Sequence, residues 1–200
     1  PYIAFLTPGL VMFALINSAF LNTSFSLFIA KLNGSLTDIL VAPLTPFQLV
    51  TGYIFASVIR GVLVGSIIWL TAIVFGHVTL VHPGYVVLFM ILTAASFGGI
   101  GILVAIFATK FDHLNFFPTF LIAPLAFLGG VFYSIEMLPD PWYDISLLNP
   151  VLYLVNGLRY GIVGVSDVDP LWALSFTGFF CCLILSACWW FFKTGYRIKD

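Results

Sequence analysis

The chain has 200 residues, of which 62% are hydrophobic, 18% aromatic and 8% charged. A soluble domain carries about 25% charge, so an ordinary water-soluble fold is excluded. The net charge of −1 excludes a nucleic-acid partner as well, because no basic stripe exists to displace counterions.

Five stretches are long and apolar enough to cross a hydrocarbon core of about 30 Å, which takes about 20 residues of helix. They cover residues 5–30, 47–75, 85–109, 115–134 and 171–192. Their apolar residues do not alternate with polar ones, which excludes a transmembrane barrel. The expected fold is all-α, a polytopic membrane helical bundle with five spans in this chain. No linker or low-complexity tract divides it, so residues 1–200 read as one transmembrane domain.

The first run carries two amides, Asn17 and Asn22, which either face a substrate path or hydrogen-bond a neighbouring helix. After it comes "GSLTDILVAPLTPFQ" (34–48). Ser35 with Asp38 three residues later has the spacing of a capping box. Leu36, Ile39 and Leu40 share one face of a short helix, and Pro43 stops it. Thr45, Pro46 and Gln48 form a second start signal: a cap, a proline at the first helical position and a side chain reaching back. Such a short surface helix is either a structural turn or a handle for a partner.

In the second run Arg60 lies about 21 Å along the helix from Pro46 at about 1.5 Å per residue. Two readings stand. Either the helix projects from the bilayer and Arg60 snorkels, or Arg60 is an intramembrane cation, which is costly and by default functional. Gly61 and Gly65, and later Gly98, Gly99 and Gly101, are small residues of the kind that let membrane helices approach closely. Pro118 and Pro124 are expected to kink the fourth run.

Residues 133–170 are broken by Pro139, Pro141 and Pro150 into pieces too short to cross. They read either as helices dipping into the outer leaflet, shielded by protein, or as an amphipathic cap. Trp142, Tyr143, Tyr153 and Tyr160 suit an interfacial aromatic belt. Cys181, Cys182 and Cys188 fall in one apolar run with no disulfide or zinc spacing, and read as packing residues.

If the runs alternate in direction, Lys31, Lys110, Lys193, Arg197 and Lys199 share one side, with Glu136, Asp140, Asp144, Asp167 and Asp169 opposite. The positive-inside rule makes the basic side cytoplasmic, with the C-terminus inside and Pro1 outside. An outside start without a signal sequence calls for one more span upstream, six in all.

No catalytic set is visible. His77 and His82 fall in an outer loop and His113 on the other side, and no G-x-x-x-x-G-K-[ST] phosphate loop is present. No cofactor or metal is expected on this chain, which is not expected to be an enzyme.

The stretches "GSLTDILVAPLTPFQLVTGY" (34–53), "PTFLIAPLAFLGGVFYSIEMLP" (118–139) and "LLNPVLYLVNGLRYG" (147–161) resemble ABC transporter permeases of the type 2 exporter class. The resemblance implies a bacterial inner-membrane permease subunit with six spans. Two copies form one transporter, each paired with a separate ATPase subunit that holds ATP and Mg. The short cytoplasmic helix is then a coupling helix made of Ser35, Leu36, Thr37, Asp38, Ile39 and Leu40, closed by Pro43. Residues 139–164 correspond to the family's re-entrant helices, with Pro150, Tyr153, Asn156 and Arg159 as candidates there. Substrate would pass between the copies, past Asn17 and Arg60. The alternatives are a secondary transporter or channel, which would show intramembrane acids and inverted repeats, or an intramembrane enzyme with a clustered catalytic set.

Overall fold

A computed structural model describes residues 2–76 and 80–195. Among these, regular structure is helical throughout. The helices are α1 (Tyr2–Leu32), α2 (Ser35–Val41), α3 (Pro46–Gly76), α4 (Pro83–Phe107), α5 (Phe111–Phe117), α6 (Ala123–Leu128), α7 (Trp142–Leu147), α8 (Pro150–Val163) and α9 (Pro170–Thr194). A π-helical turn, Pro118–Ile122, joins α5 to α6, and a 3-10 turn, Ile135–Met137, precedes α7.

Five stretches are long and apolar enough to cross a membrane: Ala4–Leu32, Pro46–Val74, Pro83–Phe107, Phe111–Leu128 and Pro170–Thr194. The expected all-α polytopic bundle is present, with one boundary corrected. The fourth run stops at Leu128 rather than reaching 134. Gly130 takes φ 72°, and the Val131 N–H reaches back to Ala126 O at 3.4 Å, the closing bond of a Schellman-type helix end.

The two prolines of that run do not produce a simple kink. Ala123 donates to Pro118 O, five residues back, so the turn widens just before Pro124, which has no N–H to give.

Packing is centred on α4, which lies against α1, α3, α8 and α9. Lipid supplies no hydrophobic drive between helices, so close contact and interhelical hydrogen bonds must hold the bundle. The glycines provide the contact. A β-carbon on Gly61 would lie 3.1 Å from Ala94 Cβ, one on Gly65 2.6 Å from Met90 Cε, and one on Gly99 2.6 Å from Ile184 Cγ2. The small hydroxyls provide the bonds. Thr23 donates to Gly98 O at 2.7 Å, and Ser57 Oγ sits 3.1 Å from both Ala19 O and Ala94 O. Cys181 and Cys188 are buried and Cys182 exposed, all as free thiols, and Cys188 donates to Gly99 O.

The bundle has two distinct ends. At one, α2 joins the ends of α1, α4 and α9 and the starts of α3 and α5 around Leu27, Phe28, Leu36, Val50, Ile106, Leu114 and Phe192. Lys31, Lys110 and Lys193 sit at this end. Lys31 Nζ donates to Ile106 O at 3.0 Å and Ala108 O at 3.4 Å, tying α1 to the free carbonyls closing α4. The other end holds α7, α8 and the acids Glu136, Asp140, Asp144, Asp167 and Asp169. His77, Arg197 and Lys199 lie outside the described residues.

Candidate functional site

The α2 end is built by local backbone chemistry. Gly34 adopts φ 75°, a left-handed conformation that ends α1 and also stands as the residue before α2. Ser35 therefore begins already inside the helix. Its hydroxyl donates back to Ala30 O at 3.2 Å, and no side chain caps α2. The capping box expected from Ser35 and Asp38 is not formed, because glycine has taken the capping position one residue earlier.

Leu36 is 5% exposed among Leu27, Phe28 and Val50, whereas Val41 is 81% exposed. Thr37 and Asp38 are also exposed and Ile39 is half-buried. Ala42 is extended (φ −59°, ψ 148°), as the residue before Pro43 is expected to be, and α2 stops. The second start forms as the sequence predicts. The Thr45 N–H donates to Gln48 Oε1 at 2.8 Å, and the Gln48 N–H to Thr45 Oγ1 at 3.3 Å, with Pro46 opening α3. The result is a short helix with one apolar anchor, an exposed outer face and a firmly capped helix behind it.

A groove of about 380 Å³ leads away from α2 between α1 and α3, lined by Ser26, Ile39, Leu44, Gln48, Leu49, Gly52, Tyr53 and Ala56. One helical turn further along the same faces, Asn22 follows Ser26 and Arg60 follows Ala56. Arg60 Nη1 donates to Asn22 Oδ1 at 3.2 Å, and Arg60 is otherwise exposed. Asn17 is not part of this pair. Its amide donates to Phe13 O on its own helix at 2.9 Å.

The level of Arg60 in the bundle follows from its neighbour. Gly61 faces Ala94 and Ala19, which lie near the midpoints of α4 and α1. Arg60 is thus at mid-bundle. An arginine at the centre of a spanning helix costs about 2.5–3.5 kcal/mol by insertion measurements. One hydrogen bond to a charged group returns about 1.5–3 kcal/mol, so the amide of Asn22 offsets the cost without leaving a surplus.

At the opposite end the polar groups are enclosed. Asn149 caps α8 by accepting the Val151 N–H at 2.9 Å, next to Pro150 at the first helical position, and its own amide donates to Leu125 O. Residues 151–159 of α8 are all buried. Arg159 is 1% exposed. It donates through Nη2 to Gly130 O at 2.6 Å and through Nη1 to Asp167 at 3.4 Å, and its guanidinium stacks 4.0 Å over the Phe5 ring. Burial draws the Arg159 pKa below its ordinary value and the Asp167 charge pushes it back; arginine stays protonated throughout.

Asp167 in turn accepts from Ser134 Oγ at 2.9 Å and Ile135 N at 3.3 Å, and its N–H donates to Asn156 Oδ1 at 2.9 Å. Arg159 and Asn156 thereby fasten α8 to residues 130–135 and 166–167, and Arg159 lies against α1 through Phe5. Tyr153 is a correction to the aromatic-belt expectation. It is 6% exposed, its hydroxyl donates to Leu147 O at 2.7 Å, and its ring lies 4.3 Å from that of Phe176. Trp142, at 49% exposure, fits the belt.

Sequence reasoning missed Gly130 and Asp167 as partners of Arg159, Ser134 as a partner of Asp167, and Ser26, Gln48 and Tyr53 as groove residues. The first group had a signal: an arginine inside an apolar segment requires an anion, and Asp167 is the nearest acid downstream. Ser26 had another, the four-residue spacing from Asn22. Among the described residues no group of His, Cys, Asp or Glu could hold a metal ion.

The comparisons agree with this architecture. The family model described as ABC-2 type transporter matches residues 2–163. The chain is 35% identical over 199 residues to the inner membrane transport permease YadH of Escherichia coli (strain K12), covering 100% of this chain and 78% of that protein. It is 24% identical over 165 residues to nodulation protein J of Rhizobium leguminosarum bv. viciae, covering 82% of this chain and 63% of that protein. To nodulation protein J of Sinorhizobium fredii it is 26% identical over 161 residues, covering 80% and 61%. No solved structure is a significant match. With five apolar helices, a matched family over most of its length and a similar permease across the whole of it, this chain belongs to the ABC-2 type transporter family as a multi-pass membrane permease.

Proposed function

We propose that the chain is the passive half of an ATP-driven exporter in a bacterial inner membrane. Two copies form the translocation pathway between them, and each rests on a separate ATPase subunit that carries ATP and Mg. The α2 end faces the cytoplasm, a reading supported by Lys31, Lys110 and Lys193 there and five acids at the α8 end. The C-terminus is on the same side.

The observation that carries the reading is the division of α2 into two faces. Leu36 is fixed in the apolar cluster, while Thr37, Asp38 and Val41 are exposed among the described residues. Such a helix is a handle for a cytoplasmic partner. Ser35, Leu36, Thr37, Asp38, Ile39 and Leu40 form it, and Pro43 separates it from α3. Closure of the ATPase pair moves α2 and reorients the two copies. Helices α7 and α8, with Pro150, Tyr153, Asn156 and Arg159, are re-entrant elements of the outer side; the enclosure of every residue from 151 to 159 supports this, since buried backbone at depth must be shielded by protein.

The test uses the permease reconstituted with its ATPase. Asp38→Arg is expected to abolish stimulated ATP turnover and transport while the complex still assembles. Unchanged turnover and transport after scrambling residues 35–42 would remove α2 from the mechanism. Transport by the purified chain alone on an ion gradient would favour the secondary-transporter reading instead.

A further inference from the structure

We infer that Lys31 is the positioning residue of the α2 handle. Its ammonium locks the last turn of α1, from which α2 hangs, onto the end of α4, so that a displacement of α2 moves α1 and α4 as one body. The inference rests on the exporter reading, since it names the residue that carries the push of the ATPase into the bundle.

Three observations lead to it. First, α2 is suspended from one turn of α1. The Gly34 N–H donates to Lys31 O at 3.3 Å, and the Ser35 hydroxyl donates to Ala30 O at 3.2 Å. A push on α2 enters α1 there, in the part of a helix that frays most readily.

Second, the same residue reaches across to another helix. Lys31 Nζ donates to Ile106 O at 3.0 Å and to Ala108 O at 3.4 Å, 75 and 77 residues further along the chain. Ile106 and Ala108 are both buried. A lysine that only orients the chain in the bilayer lays its stem on apolar surface and sends its head to water. This one turns inward, to carbonyls where a helix concentrates negative partial charge. The charge-assisted bonds it makes there are roughly twice as strong as neutral ones.

Third, α4 is where a push has to arrive to reach the rest of the bundle. It lies against α1, α3, α8 and α9. Toward its far end Phe89 packs against Gly157 of α8, and Val86 against Gly161. The next polar tie between α1 and α4, from Thr23 to Gly98 O at 2.7 Å, stands about two turns from Lys31. Between the two ties lie the apolar contacts of Leu27 and Phe28, which are non-directional and permit a tilt. Without the ammonium, the last two turns of α1 bend with α2 and leave α4 behind.

The test uses the permease reconstituted with its ATPase and follows hydrogen exchange in two peptides, 35–41 in α2 and 103–110 at the end of α4, with and without bound ATP. In the native complex both are expected to change on ATP binding. In Lys31→Met the α2 peptide is expected to change as before while the α4 peptide no longer responds, and transport per ATP hydrolysed falls about fivefold or more. Lys31→Arg, which keeps a cation and its donors, is expected to restore most of both. So is Lys31→Cys after aminoethylation with bromoethylamine, which returns an ammonium at the same reach to protein already folded. Cys182→Ser removes the exposed native thiol in that experiment.

A residue that only stabilises the fold gives a different result: Lys31→Met lowers the melting temperature, and transport and ATP turnover fall together. That outcome overturns the inference. So does an α4 peptide that still responds to ATP in Lys31→Met, which leaves the exporter reading standing and takes Lys31 out of it. A native α2 peptide that ignores ATP removes the exporter reading itself, and this inference with it.

Discussion

Helices α2 and α8 are both short connectors between spans, at opposite ends of one bundle, yet they are held in opposite ways. Helix α8 is enclosed along nine consecutive residues, 151–159, and bolted by Arg159 to Gly130, Asp167 and Phe5. Helix α2 has Leu36 as its buried anchor and exposes Val41 almost fully. The difference teaches how one bundle combines a tightly wired connector with a loosely held one. On the proposed function, the part that stays put is wired to several elements at once, and the part moved by the ATPase is pinned at one point. Buried polar networks give rigidity only when their members find partners; a single apolar anchor permits a tilt about itself.

The comparison is broken most directly at Arg159. Arg159→Met strands Asp167 without its cation, and removing one partner of a buried ion pair costs about 3–5 kcal/mol. Thermal unfolding in detergent should show that loss, and the double change Arg159→Met with Asp167→Leu should recover much of it. Next in size comes Leu36→Ala, expected to cost about 2 kcal/mol, at the low end for a core leucine because α2 has a solvent side. A larger loss at Leu36 than at Arg159 would reverse the assignment of fixed and movable ends.

Thr45→Ala should cost about 1 kcal/mol by removing half of the reciprocal cap that starts α3. Its expected signature is weaker ATP coupling without weaker assembly, measurable as uncoupled ATPase activity in the reconstituted complex. Smallest of all, Val41→Ser should shift stability by no more than about 0.5 kcal/mol, as exposed substitutions do. The same substitution should lower affinity for the ATPase partner, measured by co-purification; unaffected association would leave α2 as a mere turn.

Much of this was legible in the residues. The five spans, the short helix stopped by Pro43 and the Thr45–Gln48 cap are set by local rules of hydropathy, proline geometry and side-chain reach, and apart from the fourth span, which ends early at Leu128, they stand where the sequence puts them. Gly61, Gly65, Gly98, Gly99 and Gly101 were readable as close-packing positions for the same reason. Local rules fail where two of them compete for one residue. Ser35 has the spacing of a cap, but Gly34 tolerates the left-handed turn better and takes the position. Tyr153 has the chemistry of a belt residue, but its place on α8, buried against α9, is a long-range fact. The partners of Arg159 lie 29 residues upstream and 8 downstream, beyond the reach of any helical periodicity.

The π turn at Pro118–Ile122 has one consequence for the span that contains it. It stores a surplus residue, and each residue of helix turns the chain by about 100°. The two halves of that span therefore look in directions that an unbroken helix could not combine. The α5 half offers Phe111 and Phe117 to the rings of Phe25, Phe28 and Phe20 on α1. The α6 half meets the start of α8 through Leu125 and the helix end at Gly129 and Gly130. One change of direction in a single rod thus lets it serve both the α2 end of the molecule and the α8 end.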